Sequence, residues 1–176
     1  MSKTRCLIAY YSRAGENYVS GDIVDLAVGN TEVAASMVRS ITGGDLLPID
    51  TVQSYPLDYH ETTEVARKEL RTQARPELKY VPGNIDEYDV VFLGFPNWWG
   101  TPPMAVFTFL ESFDFSGKTI VPLCTHEGSG MGMSERDIRA ACPGATVLDG
   151  LAIRGGGVHG AEATIRRWIE SSGLSF

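Results

Sequence analysis

Cys6-Leu7-Ile8-Ala9-Tyr10-Tyr11 runs into Ser12-Arg13-Ala14-Gly15, and Gly29-Asn30-Thr31 takes up the same pattern after an interruption at residues 16–29. A short apolar run that ends in hydroxyl and glycine residues and then enters a helix presents backbone N–H groups and a helix N-terminus to an anion. A helix is expected over residues 31–41, where Ala34, Val38 and Ile41 share one face. With the interruption closed, the loop reads Ser12-Arg13-Ala14-Gly15-Asn30-Thr31, a phosphate-binding arrangement. Such a loop taken alone is as consistent with an ordinary turn.

Two later loops change that weighting. The apolar run 89–95 has the continuous character of a strand covered on both faces, and it ends in Pro96-Asn97-Trp98-Trp99-Gly100-Thr101. Tryptophans in a loop at the carboxyl end of a central strand either pack beneath it or form a wall of an aromatic ligand site. The next strand, residues 119–124, ends in Thr125-His126-Glu127-Gly128-Ser129-Gly130, whose glycines permit close backbone approach. A helix is expected after each loop, the first capped by Thr101 or a neighbour and the second by a capping-box-like Ser134-Glu135-Arg136-Asp137.

Around these loops the chain alternates strand and helix. The insert carries a Gly21-Asp22 turn signal and is expected to form a small hairpin beside the ligand, as wall or as decoration, with Tyr18 its foremost contact. Residues 45–49 form an edge strand containing Pro48, and residues 59–73 a mostly solvent-facing helix with Ala66 and Leu70 as its apolar pair. Residues 145–148 with 151–153 make the last strand. The final helix begins near Gly160 and buries Ala161, Ile165, Trp168 and Ile169, which makes Trp168 a core residue. His60 among Glu61 and Glu64 reads as a solvated helix face, not a metal site. Five alternations of strand and helix predict a three-layer α/β fold with a parallel sheet and right-handed crossovers.

Composition bounds the function. The chain has 176 residues, the size of one domain, with 43% hydrophobic and 21% charged residues. No apolar run approaches the ~20 residues that span a bilayer, and residues 1–5 lack a signal-peptide pattern, so a cytoplasmic location and no membrane partner are expected. Cys6, Cys124 and Cys142 are expected to be free and buried. The net charge of −7 without a basic cluster makes nucleic acid an unsuitable partner.

The split loop, the Gly94-Phe95-Pro96-Asn97-Trp98-Trp99-Gly100 stretch and residues 125–130 together resemble the flavodoxin family, in particular its branch with a Pro-x-Trp-Trp-Gly flavin loop. The resemblance covers nearly the whole chain as a single domain, 1–176. It implies a five-stranded parallel sheet of order 2-1-3-4-5, with the insert between first strand and first helix, and non-covalent FMN at the switch point. Carried over by position, Ser12, Arg13, Ala14, Asn30 and Thr31 would hold the phosphate. Pro96, Asn97, Trp98, Trp99 and Gly100 would line the isoalloxazine, with either tryptophan against a ring face. The backbone of Thr125, His126, Glu127, Gly128 and Gly130 would cover the other edge. Ala14 stands where the family usually has a hydroxyl residue, and Arg13 either replaces that contact or points to solvent.

The implied function is electron transfer through FMN, to a redox partner protein or to a small acceptor such as a quinone, with NAD(P)H as a candidate donor. No catalytic side chain is required. Two rivals fit less well. A receiver-type signalling module needs acidic residues at its strand ends, and here the strands end in Ser12, Pro96 and Thr125. A hydrolase using Ser12 lacks a G-x-S-x-G elbow, and His126 lacks an evident orienting partner.

Overall fold

The structure, a computed structural model, describes residues 4–176; Met1, Ser2 and Lys3, part of the segment read for a signal peptide, lie outside the described residues. The chain starts with β1 (Cys6–Tyr10), continues into a hairpin of β2 (Gly15–Val19) and β3 (Asp22–Leu26), and then forms α1 (Asn30–Thr42). There follow β4 (Asp45–Pro48), α2 (Tyr59–Thr72), β5 (Val90–Pro96), α3 (Met104–Glu111), β6 (Thr119–His126) and α4 (Ser134–Ala141). The chain closes with β7 (Thr146–Val147), β8 (Leu151–Arg154), a 3₁₀ helix (Gly155–Gly160) and α5 (Glu162–Ser171).

The central sheet runs β4-β1-β5-β6-β7, with β8 also pairing β6, and every pair is parallel. With the hairpin set aside and β7 and β8 taken as one broken strand, this is the expected order 2-1-3-4-5. The sheet therefore has six strands where five were expected. The break at residues 148–150 lies opposite Val121 and Pro122, since β7 pairs with Thr119 and Ile120 and β8 resumes only at Leu123. Pro122 supplies no N–H to a ladder. A Cβ at Gly150 would lie 2.8 Å from the Pro122 carbonyl, so the chain passes close to β6 at this point.

Two apolar layers cover the sheet. One packs α3, the α4 residue Ile138 and Phe115 against Leu7, Val91, Leu93, Phe95 and Ile120. The other packs Ala34, Ala35 and Val38 of α1 and Ile165 and Ile169 of α5 against Ile8, Phe92, Val121 and Leu123. Strands β1 and β5 are buried on both faces, which explains their unbroken apolar sequence. Trp168, expected in the core, is only partly buried: it packs edge-on to Phe92 at 5.8 Å from the margin of the second layer and donates Nε1–H to the Asp149 carbonyl. All three cysteines are free and buried.

Local chemistry departs from expectation at both later helix starts. Thr101 does not cap α3: its hydroxyl donates to the Asp137 carboxylate at 2.8 Å, and Pro103 holds the cap position with no side-chain bond. No capping box opens α4. Met133 is the cap residue, while Ser134 lies inside the helix with a buried hydroxyl that has no partner among the described residues. Asp137 is drawn to Thr101 and Arg136, so the tie between the β5–α3 loop and α4 takes the carboxylate that a box would have used. The 3₁₀ helix after β8 was not foreseen, and α5 begins at Glu162.

Candidate functional site

A cavity of about 350 Å³ opens at the carboxyl ends of β1, β5 and β6, on the side where strand order reverses between β1 and β5. The site is assembled from α1 outward. Ser12, just past β1, turns its Oγ to accept the Glu32 backbone N–H at 3.0 Å, so a residue from the preceding loop caps the helix in place of Gly29. Gly29 is required there, because a Cβ would lie 2.6 Å from the Arg13 carbonyl and collide with Ser12 Oγ. The α1 N-terminus thus faces the cavity with Asn30 and Thr31 on its lining. The buried Thr31 hydroxyl shares a 2.8 Å hydrogen bond with the Thr125 hydroxyl, tying helix to β6.

Arg13 does not stand in for the missing hydroxyl at position 14. Its guanidinium donates to the Glu16 carbonyl, to the carbonyls of Pro56 at 2.8 Å and Leu57 at 3.0 Å, and to Thr62 Oγ1 at 3.2 Å. A charge committed to carbonyls over that span pins the hairpin base to the segment before α2. Ala14 is exposed and does not line the cavity.

The β5–α3 loop supplies Pro96, Asn97 and Trp98 to the cavity. Asn97 joins two loops: its Nδ2 donates to the Gly130 carbonyl, its Oδ1 accepts from Gly100 N–H, and its own N–H reaches the Thr125 carbonyl, each at 2.8 Å. Trp98 packs edge-on against Tyr11 and Tyr55, both at 5.1 Å between ring centroids. Both alternatives for this loop are therefore realised in one residue, since Trp98 packs under the loop and also lines the cavity. Trp99 turns away. It is half exposed with φ 60°, outside the main cavity together with Gly100 and Gly130.

The β6–α4 loop brings Thr125, His126, Glu127 and Gly128 to the lining. His126 Nδ1 accepts the Gly128 N–H at 2.9 Å. Burial holds its pKa below the ordinary histidine value, helped by nearby Arg154 and opposed by Glu127, so the ring is neutral at pH 7. Glu127 Oε2 accepts the backbone N–H of Ser20 at 3.0 Å, whereas its Oε1 is buried with no partner among the described residues.

Sequence reasoning missed Asn17, Tyr59 and Gly155, while Ser129, within the expected 125–130 loop, also lies on the lining. Tyr59 is the first residue of α2, and its ring stacks on Tyr18 of the hairpin at 6.2 Å, with an interplanar angle of 28°. The Glu16 carboxylate accepts the Tyr59 N–H at 2.8 Å. Burial, then the neighbouring Tyr18, pushes the Tyr59 phenol above its ordinary pKa, so it stays a donor. Gly155 admits no side chain, because a Cβ there would lie 2.5 Å from Glu127 Oε1 and against the Asn30 amide. The signal for Gly155 was present in the Gly155-Gly156-Gly157 run; nothing in the sequence placed Tyr59 opposite Tyr18.

A family model described as Flavodoxin matches residues 22–172, and the chain belongs to the flavodoxin family. Among solved structures, a protein of Bacteroides eggerthii DSM 20697, provisionally assigned as a flavoprotein, is 31% identical with a TM-score of 0.79, over 98% of this chain and 99% of that one. A protein of Bacteroides uniformis ATCC 8492 with the same provisional assignment is 28% identical, TM-score 0.75, over 96% and 99%. A flavoprotein of Lactobacillus acidophilus NCFM, determined in complex with FMN, is 19% identical with a TM-score of 0.62, over 92% and 99%, and shares the fold. No match is found among the curated proteins. Among the described residues no helix is long and apolar enough to cross a membrane.

Proposed function

We propose that the chain is a single FMN-binding domain that transfers electrons through non-covalently bound FMN to a small acceptor such as a quinone. The observation that carries this is the convergence of the α1 N-terminus, the Trp98 loop and the Thr125–Gly128 backbone on one cavity at the β1/β5 switch point. Family membership supports it, as does the FMN held by the Lactobacillus protein of the same fold.

The residues present fit such a cofactor. The first turn of a 13-residue helix offers N–H groups and the positive end of its dipole to a phosphate, with Asn30 and Thr31 beside it. Glu127 Oε1, a buried carboxylate oxygen without a donor, is the kind of acceptor that a hydroxyl-bearing chain relieves. Trp98, fixed edge-on by Tyr11 and Tyr55, makes a wall that does not yield. The cofactor supplies the two-electron chemistry when bound, and the protein supplies binding, orientation and exclusion of water.

The hairpin favours a small acceptor over a protein partner. It is held at one end by Glu16 on Tyr59 N–H and at the other by Ser20 N–H on Glu127, and it places Asn17 and Tyr18 on the cavity. A carrier that docks proteins needs an open cofactor edge; a wall here narrows access and limits water. The test is single-turnover mixing of flavin-loaded protein with NADPH or NADH and a quinone, for wild type and for a variant joining Gly15 directly to Asn30. Fast reduction that collapses in the shortened variant is expected. Equal, slow reduction of both by nicotinamide, with fast reduction of both by a separate reductase, would make the chain a carrier.

A further inference from the structure

Beside the main cavity lies a second compartment of about 290 Å³, between α2 and the Trp98–Trp99 loop. The two share Arg13, Asn17, Tyr59, Asn97 and Trp98, so they adjoin across a common wall, but Thr62, Thr63, Ala66 and Trp99 belong to the second alone. Trp99 forms its outer wall. A bulky residue at φ 60° is held there only by other contacts, and two such contacts exist: its Nε1–H donates to the Thr63 carbonyl at 2.9 Å, and Arg67 lies 5.5 Å over the ring. The indole is thereby fixed across the gap from loop to helix.

The chemistry of the lining is specific. Arg13, the one charged lining residue of this compartment, spends its guanidinium on Glu16, Pro56, Leu57 and Thr62. Thr62 Oγ1 donates toward the Pro56 and Asp58 carbonyls, Thr63 Oγ1 to the His60 carbonyl, and both ends of the Asn97 amide are bonded. Asn17 spends its Nδ2 on the carbonyls of Arg13 and Gly15, and what remains is its amide edge, the Ala66 methyl, aromatic surface from Trp98, Trp99 and Tyr59, and, among the described residues, a Tyr59 phenol that makes no hydrogen bond. Such a lining offers nothing to a charged ligand and much to a flat, neutral one that carries an acceptor oxygen.

We infer that this compartment is a binding site for a neutral, planar, carbonyl-bearing aromatic molecule, of the quinone class, with the Tyr59 O–H as donor to its carbonyl oxygen and Trp99 as its outer wall. The inference rests on the reading of the adjoining cavity as the cofactor site, and it seats the acceptor beside the cofactor, across the wall that the two compartments share.

The experiment is equilibrium dialysis of 1,4-naphthoquinone against the full-length oxidised protein, with and without saturating FMN, alongside 1,4-naphthoquinone-2-sulfonate. One equivalent of naphthoquinone is expected to bind in both states, and the sulfonate at least 10-fold more weakly. Thr63→Phe, which fills the compartment without touching the cofactor cavity, should weaken naphthoquinone at least 10-fold and leave FMN affinity within twofold. Tyr59→Phe, which keeps the ring and removes the donor, should weaken naphthoquinone about fivefold. Competition between naphthoquinone and FMN would overturn the inference by making the compartment part of the cofactor site. So would unchanged naphthoquinone binding in Thr63→Phe, or sulfonate binding as tight as that of the neutral quinone. If FMN fails to bind while naphthoquinone binds and is lost in Thr63→Phe, the cofactor reading falls and the second site stands.

Discussion

Ser20, at the hairpin tip, donates its backbone N–H to a Glu127 carboxylate oxygen at 3.0 Å, across 107 positions of sequence. The contact closes the ring of elements around the cavity. It also joins the β2–β3 hairpin, which lies outside the central sheet, to the loop after β6. A charge-assisted bond of this kind contributes about 1.5 kcal/mol, roughly a factor of ten in an equilibrium. Glu127→Ala should therefore raise amide exchange over residues 17–23 about 10-fold while global stability changes little, since the bond lies at the surface. Unchanged exchange would show that the tip is held by other contacts.

Trp98 and Trp99 should separate cleanly. Trp98 packs against Tyr11 and Tyr55, so Trp98→Ala should cost about 3 kcal/mol of stability and remove most of the flavin-induced quenching of tryptophan fluorescence. Trp99→Ala, at a half-exposed site, should cost under about 1 kcal/mol and leave that quenching in place. Thermal melts and flavin titrations of both variants decide it; loss of quenching in Trp99→Ala alone would reverse the assignment.

Neither outcome was legible in the Trp98-Trp99 dipeptide, because adjacent residues in a loop are sorted by φ, and φ at Trp99 is set by Thr63 and Arg67 on α2. The same limit hides Arg13, whose long-range partners Pro56, Leu57 and Thr62 lie 43 to 49 positions away, before α2 and in its first turn, whatever its neighbours at Ser12 and Ala14 imply. What periodicity and turn chemistry control was readable: the buried β1 and β5 runs, the α1 face at Ala34 and Val38, and the hairpin. Its turn falls at Ser20 and Gly21, one position before the expected Gly21-Asp22, with φ 52° and 96°, the pair of positive values of a type I′ turn, and Asp22 begins β3. Pro122 carried a warning about the broken last strand, since a proline inside a central strand interrupts its ladder.

Gly132 and Gly43 both have positive φ, 57° and 72°, yet differ in surroundings. A Cβ at Gly43 meets nothing within 4 Å, whereas one at Gly132 lies 2.6 Å from the Gly100 carbonyl. Gly43→Ala should cost about 1 kcal/mol from backbone strain alone. Gly132→Ala should cost roughly 2 kcal/mol or more and shift the loop that faces Asn97. Equal costs in thermal or urea unfolding would remove the packing argument.

The buried thiols give a pH dependence of known sign. Burial pushes Cys124 up from an ordinary 9.0 to about 12, and burial, then Glu111, pushes Cys142 to about 11. Below the ordinary value both thiols are neutral in folded and unfolded chains, and stability is at its full value. As pH rises above about 9, only the unfolded chain releases these protons, so stability falls toward the folded values. Urea unfolding at pH 8 and pH 10.5 should show the loss, and Cys124→Ala should reduce the difference. A thiol reagent at pH 8 should label native protein at least 100-fold more slowly than unfolded protein.

The central claim is that the α1 N-terminus, with Ser12, Asn30 and Thr31, holds the phosphate of a flavin nucleotide. Titration of flavin-free protein with FMN and with riboflavin, followed by flavin fluorescence, tests it most directly. Charge-assisted hydrogen bonds contribute about 1.5 to 3 kcal/mol each, so FMN should bind at least 10-fold more tightly than riboflavin. Equal affinities, or no binding of either, would contradict the account.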